Sequence, residues 1–276
     1  MCAQENNRSL RDAAAVEPLG PGRYGVTISD DYTVVGRPNG GYLQCVLGNA
    51  ALAAATDGGA PHVHVTSITT NFMSAPSVGR AELLTDVRRV GRGVSFVHVT
   101  TEQESVVTTE SLVTLGTLDG DSAIRYMDAT PPDVAPREQC LRRTVVEEVK
   151  IMGVVDFLLD PSSAGWLDGG RSEKGEVLGW LRLDDGASNW DAWSLLFASD
   201  GLPPGTFPLG SSGWVPTLQL TTYVRRVPVG EWLRARQWCI VIADDTVDER
   251  CELFDERGEM VASSSQLAMV RFPEPR

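Results

Sequence analysis

The chain has 276 residues, 42% hydrophobic and 22% charged, enough to bury a full core in one large or two ordinary domains. Its formal charge of −13 argues against a nucleic-acid or anionic-membrane partner, since both need surplus Lys and Arg. Five scattered cysteines (Cys2, Cys45, Cys140, Cys239, Cys251) without a CxxC show no disulfide framework or zinc site, so free thiols in a reducing cytoplasm are expected.

The N-terminal stretch MCAQENNRSLRDAAAVE is polar and has no apolar signal core, which predicts a soluble, cytoplasmic protein. RPNGGYLQCVLGNAALAAA (37–55) then runs from a glycine-paired break into a segment with almost no charge. From Tyr42 to Ala55 it is shorter than the roughly twenty residues a bilayer span needs, so no membrane span is expected. Apolar residues fall on nearly every face, which predicts a helix near 40–56 buried all round and ended by Thr56-Asp57-Gly58-Gly59. Asn39-Gly40-Gly41-Tyr42 opens that helix. Its N–H groups stand at the positive end of the dipole, and the glycines let a substrate carbonyl approach and be polarised.

HVHVTSITTNFM, AELLTDVRRVG, RGVSFVHVTTEQ and ESVVTTESLVTLG follow, rich in β-branched residues and broken at Gly79, Gly91 and Gly93. They predict an antiparallel meander. Residues 118–139, rich in Asp, Pro and Ala, read as a surface linker. The second half repeats the order: SNWDAWSLLFASD (188–200) has helix length, and WVPTLQLTTYVRR, EWLRARQWCIVIA, DERCELFDERG and EMVASSSQLAMVR read as strands. TTNFMSAP (69–76) aligns without a gap on TTYVRRVP (221–228). The pattern is a duplicated helix-plus-meander of the α+β class. It divides into an N-terminal unit at 1–118, a linker at 119–143 and a C-terminal unit at 144–276.

PNGGY before a buried helix, together with GWVPTLQLTTYVRR, GEWLRARQ and ELFDERGEMVASSSQLAMVR, resembles the acyl-CoA thioesterase superfamily. Within it the chain is similar to the double-hotdog proteins related to type II acyl-CoA thioesterases. GxxVAxSxQLA (258–268) combined with the upstream PTL is the more specific part, and NGGY alone is weak. The resemblance implies a double hotdog: two long buried helices, each wrapped by antiparallel strands of one continuous sheet, with the acyl chain in a tunnel at the interface. It further implies hydrolysis of acyl-CoA or a related acyl-thioester substrate by an activated water, with no cofactor, in a homodimer or higher homo-oligomer. Asp200 in FASDGLPP, Thr217 in VPTLQL and Gln266 in SSSQLAM match the positions that activate and orient this water. Asn39, Gly40, Gly41 and Tyr42 fall to substrate binding.

Thioester hydrolysis needs a nucleophilic water and donors aimed at the developing oxyanion. Asp200 alone of the three accepts a proton; Thr217 and Gln266 are neutral groups that hold water in line. Plainer explanations stand beside these. Asp200 before Gly201 ends a helix, Thr217 is a β-branched strand residue, Gln266 follows three serines as a solvated strand residue, and Gly40-Gly41 serves tight packing. At the offset of the internal echo, Thr217 pairs with Val65 and Asp200 with Gly48, so one active site per chain is expected. The paired Arg225-Arg226, with Arg88-Arg89, Arg92, Arg234 and Arg236, are candidates for holding coenzyme A phosphates. Charged strand positions that discourage edge pairing explain any one of them at least as well. His62 and His64 alternate on a strand without a third metal ligand in sequence reach. GxSxG is absent, and the histidines lie outside any dehydratase motif. The rival of a different class is a non-catalytic acyl-CoA or lipid-binding protein on the same fold.

Overall fold

The computed structural model describes residues 8–120, 124–142, 146–186 and 189–273. Cys2 and parts of the expected linker lie outside them. The alternating segments form thirteen strands of one sheet among the described residues. In chain order these are β1 (Glu17–Gly20), β2 (Arg23–Ile28), β3 (His64–Phe72), β4 (Gly79–Val90), β5 (Ser95–Gln103), β6 (Val106–Gly116), β7 (Leu141–Arg142), β8 (Val155–Leu159), β9 (Glu176–Leu183), β10 (Thr217–Val224), β11 (Trp232–Ala243), β12 (Thr246–Phe254) and β13 (Met260–Met269). Their spatial order is β1-β2-β4-β5-β6-β3-β10-β13-β12-β11-β9-β8-β7, with every neighbour antiparallel.

β3 and β10 form the seam between the halves. Thr69 faces Thr221, Ser67 faces Tyr223, and Asn71 faces Gln219. The Thr69 and Thr221 hydroxyls are 3.1 Å apart across 152 residues of sequence, the same offset that relates TTNFMSAP to TTYVRRVP. A residue paired with its own echo marks a local two-fold axis at this point. The symmetry spreads outward through the registers. Val97 faces Val113 in the first half as Glu249 faces Gln266 in the second, and Val65 faces Leu115 as Thr217 faces Ala268.

The helix α1 (Gly40–Asp57) begins where Asn39 accepts the Tyr42 N–H on its side-chain oxygen at 2.9 Å and ends before Gly58. Leu43, Val46, Leu47 and Ala50 are buried in one core with Val65, Ile68, Leu83, Val97 and Val113. The strands of the first half therefore enclose α1, as its all-round apolar character requires.

The second half departs from expectation. In place of a helix over 188–200, α2 spans only Leu195–Ala198, and residue 188 lies outside the described residues. Two local causes account for this. Asp191 and Ser194 each accept the other's backbone N–H at 2.8 Å on their side-chain oxygens, a turn that delays the helix. Downstream, Pro203 and Pro204 lack N–H donors, and each disfavours helical geometry in the residue before it. Where α1 continues through Gly48, the second unit stops at the equivalent Asp200 and runs on as a loop. That loop lies against the sheet: a Cβ on Gly205 would stand 3.1 Å from Trp238 Cα and 3.2 Å from the Cys239 nitrogen.

Candidate active site

The start of α1 meets the end of α2. A Cβ on Gly41 would lie 2.7 Å from the Leu196 oxygen and 2.8 Å from the Phe197 oxygen, distances that real Cβ atoms essentially never show. Only glycine permits this approach. It brings Asp200 over the helix N-terminus, where its Oδ2 accepts from Gly41 N–H at 3.0 Å and from Asn39 Nδ2 at 2.9 Å. Asn39 Nδ2 also donates to the Asp200 carbonyl at 2.8 Å, and the Gly40 amide adds to the hold on the carboxylate. The glycine amides thus serve the aspartate, where the sequence suggested a substrate carbonyl. Burial raises the Asp200 pKa to about 6, and the charge of Glu249 adds to the rise; the Gly41, Gly40 and Asn39 donors oppose it.

Thr217 at the start of β10 and Gln266 on β13 are tied together. Thr217 Oγ1 donates to Gln266 Oε1 at 3.0 Å. Gln266 Nε2 in turn donates to Glu249 Oε2 at 2.6 Å, and Gln237 Nε2 donates to the same oxygen at 2.9 Å. Glu249 is 1% exposed. Its surroundings are donors throughout, with Cys239 Sγ at 3.6 Å from Oε1 and the Gly205 amide completing the set. Burial pushes its carboxyl up, against the pull of these donors. Sequence reasoning missed Glu249, because DERCELF reads as a strand with solvated charges. The signal lay in the echo, which gives Glu249 the position that Val97 holds in the first half.

Asn39, Gly40, Asp200, Thr217, Gln237 and Gln266 all line one cavity of about 490 Å³. Leu43, Phe72, Met73, Ile151, Phe157 and Trp214 supply apolar wall. Arg37 reaches the same cavity, its guanidinium 5.9 Å from the centre of the Trp214 ring. Tyr42 does not line it. Its hydroxyl donates to the Ala13 oxygen at 2.7 Å and accepts the Ser29 N–H at 3.0 Å, while its ring stacks on Tyr32. Arg225 and Arg226 also lie off the cavity wall. They follow the far end of β10, on the order of 25 Å along the strand from Thr217 at about 3.3 Å per residue. Arg226 is paired with Glu259 at 2.8 Å and bonded to the Gly120 oxygen, while Arg225 is exposed. His62 Nδ1 lies 2.9 Å from Ser95 Oγ, and His64 Nδ1 accepts the Leu118 N–H at 3.0 Å.

A curved antiparallel sheet around a buried helix, doubled about a local two-fold, is the hotdog architecture. A hot dog fold protein of unknown function from Alicyclobacillus acidocaldarius superposes with a TM-score of 0.81, 18% identity, and 96% of this chain and 98% of that chain covered. A candidate thioesterase II from Thermobifida fusca is 33% identical over 97% of this chain and 98% of its own, with a TM-score of 0.87. An uncharacterised protein of Mycobacterium tuberculosis is 26% identical over 269 residues, covering 88% of this chain and 89% of that protein. The acyl-CoA thioesterase N-terminal domain matches residues 28–116 and the acyl-CoA thioesterase C-terminal domain matches residues 127–270. The chain belongs to the acyl-CoA thioesterase family.

Proposed function

We propose that the protein hydrolyses acyl-CoA or a closely related acyl thioester through a water activated by Asp200. One observation carries the reading: a carboxylate held at the head of α1, with its pKa raised to about 6, shares an apolar cavity with the Thr217–Gln266 pair. A general base works best when its pKa approaches the operating pH. Asp200 Oδ2 is occupied by Asn39 and Gly41, so the other oxygen is the one to receive the proton. Thr217 spends its hydroxyl proton on Gln266, which leaves its oxygen lone pairs to accept from the water.

In the proposed reaction the water oxygen attacks the thioester carbonyl carbon while its proton passes to Asp200. The tetrahedral intermediate collapses with cleavage of the C–S bond. The departing thiolate takes up the proton that Asp200 received, which restores the carboxylate and gives a carboxylic acid and a free thiol. The acyl chain would lie along Leu43, Phe72, Ile151 and Phe157, and Arg37 would meet a phosphate at the rim. One such site per chain is supported by the echo, since Gly48, Val65 and Val113 occupy the equivalent positions and carry no chemistry. The free thiols of Cys45, Cys140, Cys239 and Cys251 suit a reducing compartment such as the cytoplasm.

A panel of acyl-CoAs assayed by release of free thiol tests the proposal. Turnover of at least one member, lowered about a hundredfold or more by Asp200→Asn, is the expected result. Saturable acyl-CoA binding without thiol release across the panel would replace hydrolysis by a binding role.

A further inference from the structure

The strands of the two halves are superposable in register, yet they differ in one cluster. The first half places Val65, Val97 and Val113 at 0–1% exposure in the core with α1. The second half places Thr217, Glu249 and Gln266 at the same three register positions. The twin shows that this sheet folds with valine there. A carboxylate at 1% exposure is unfavourable to bury, so the fold itself gives no reason for Glu249. Its position behind Gln266 does.

An amide can turn over and exchange its oxygen for its nitrogen at little steric cost. Gln266 is held against that exchange from both ends, by Thr217 donating to its oxygen and by Glu249 accepting from its nitrogen. Glu249 Oε2 also takes Gln237 Nε2, and the Gly205 amide and Cys239 thiol point at the same carboxylate. Every one of these neighbours donates. These donors favour the anion, against the burial that pushes the carboxyl up.

We propose that Glu249 is a positioning residue for the hydrolytic site: as a buried anion it locks the Gln266 amide so that Thr217 presents its lone pairs, and not its proton, to the water. This rests on the reading of Thr217 and Gln266 as water-holding groups. A second consequence follows from charge. The groups facing Asp200 are the Asn39 amide and the Gly40 and Gly41 N–H groups from α1, together with Glu249 and Cys251 from β12. Glu249 supplies the negative charge in that set, and its removal would ease ionisation of Asp200.

The test combines two variants with two kinds of measurement. Glu249→Gln keeps the shape and one acceptor oxygen; Glu249→Leu removes the acceptor altogether. With the acyl-CoA that the wild type turns over best, Glu249→Leu should lower kcat by about ten- to a hundredfold, the range in which groups that orient catalytic ligands are felt. KM should change less than twofold. In a Gln266→Ala background the same change should cost almost nothing more, because the lock then has nothing to hold. Glu249→Gln should move the acid limb of the pH–rate profile to lower pH. Fully additive losses in the double variant, or an unmoved acid limb together with wild-type kcat in Glu249→Gln, would overturn the proposal. If the wild type hydrolyses no thioester, side-chain amide NMR decides separately. The Gln266 NH₂ signals should be shifted and slowly exchanging in the wild type and lose both features in Glu249→Gln or Glu249→Leu. Unchanged signals in both variants would overturn the lock whatever the activity.

Discussion

Asp200, the proposed base, is held between opposing influences, which makes its ionisation readable in two ways. Its carboxylate must be ionised to accept a proton, and burial with the Glu249 charge sets its pKa at about 6. The rate should therefore fall as pH drops through about 6 and level off above it; a flat profile down to pH 4 would exclude Asp200 as the base. Asp200→Asn keeps the shape and should lower turnover by roughly two to four orders of magnitude while leaving KM nearly unchanged. Gln266→Ala should cost less, because water can partly replace an orienting group. Stability should move the other way. The folded-state pKa lies above the ordinary aspartate value of 3.8, so ionisation opposes folding once the pH exceeds that value, and does so fully above about 6. Asp200→Asn should accordingly raise Tm at pH 7.5, with the gain shrinking toward pH 4. A lower Tm at pH 7.5 would show that the carboxylate stabilises the fold.

At the scale of elements, the close meeting of α1 and α2 makes the site. Gly41→Ala would drive a methyl into the carbonyl oxygens of Leu196 and Phe197, at 2.7 and 2.8 Å. Such overpacking typically costs about 1–3 kcal/mol. It should also part Asp200 from the Gly41 amide, so Tm and kcat should fall together. A variant with normal kcat and normal Tm would show that the two helices shift freely at this crossing. The rim offers a separate check through Arg37, the cation on the cavity wall that stacks on Trp214. Arg37→Glu should raise KM for acyl-CoA more than for an acyl-pantetheine lacking the nucleotide. Equal effects would remove Arg37 from phosphate binding.

For the whole molecule, the seam couples the halves. β3 pairs with β10 through Thr69 and Thr221, and Gln44 of α1 reaches across to donate to the Leu220 oxygen and accept from Thr222 Oγ1. Asn39 and Asp200 belong to different halves, as do Gly41 and Leu196. Neither half alone holds Asp200 in place. Residues 1–118 and 144–276 expressed separately should each lack a cooperative thermal transition, and co-expression should restore both folding and thiol release. A half that melts cooperatively on its own would show that the duplication still works as two independent domains.

The sequence alone was enough to define α1, and it showed the echo that the tertiary structure places at the seam. Asn39 as cap, the apolar run and Gly58 are signals within a turn or two of where they act, and the TTNFMSAP–TTYVRRVP echo falls on the two-fold axis itself. The apolar content of 188–200 predicts a longer second helix than the single turn over Leu195–Ala198. Asp200, Thr217 and Gln266 could be named from their motifs, and the cavity gathers them. What tertiary structure decided is everything that depends on burial and on contacts between distant residues. The Gly41 amide binds Asp200 across 159 residues, Arg226 spends its charge on Glu259, and Tyr42 bonds to Ala13. Glu249 in DERCELF looks like any solvated strand carboxylate until the sheet closes over it. Local propensity is written in neighbouring residues, whereas the ionisation and hydrogen bonding of a side chain depend on which distant groups exclude water from it.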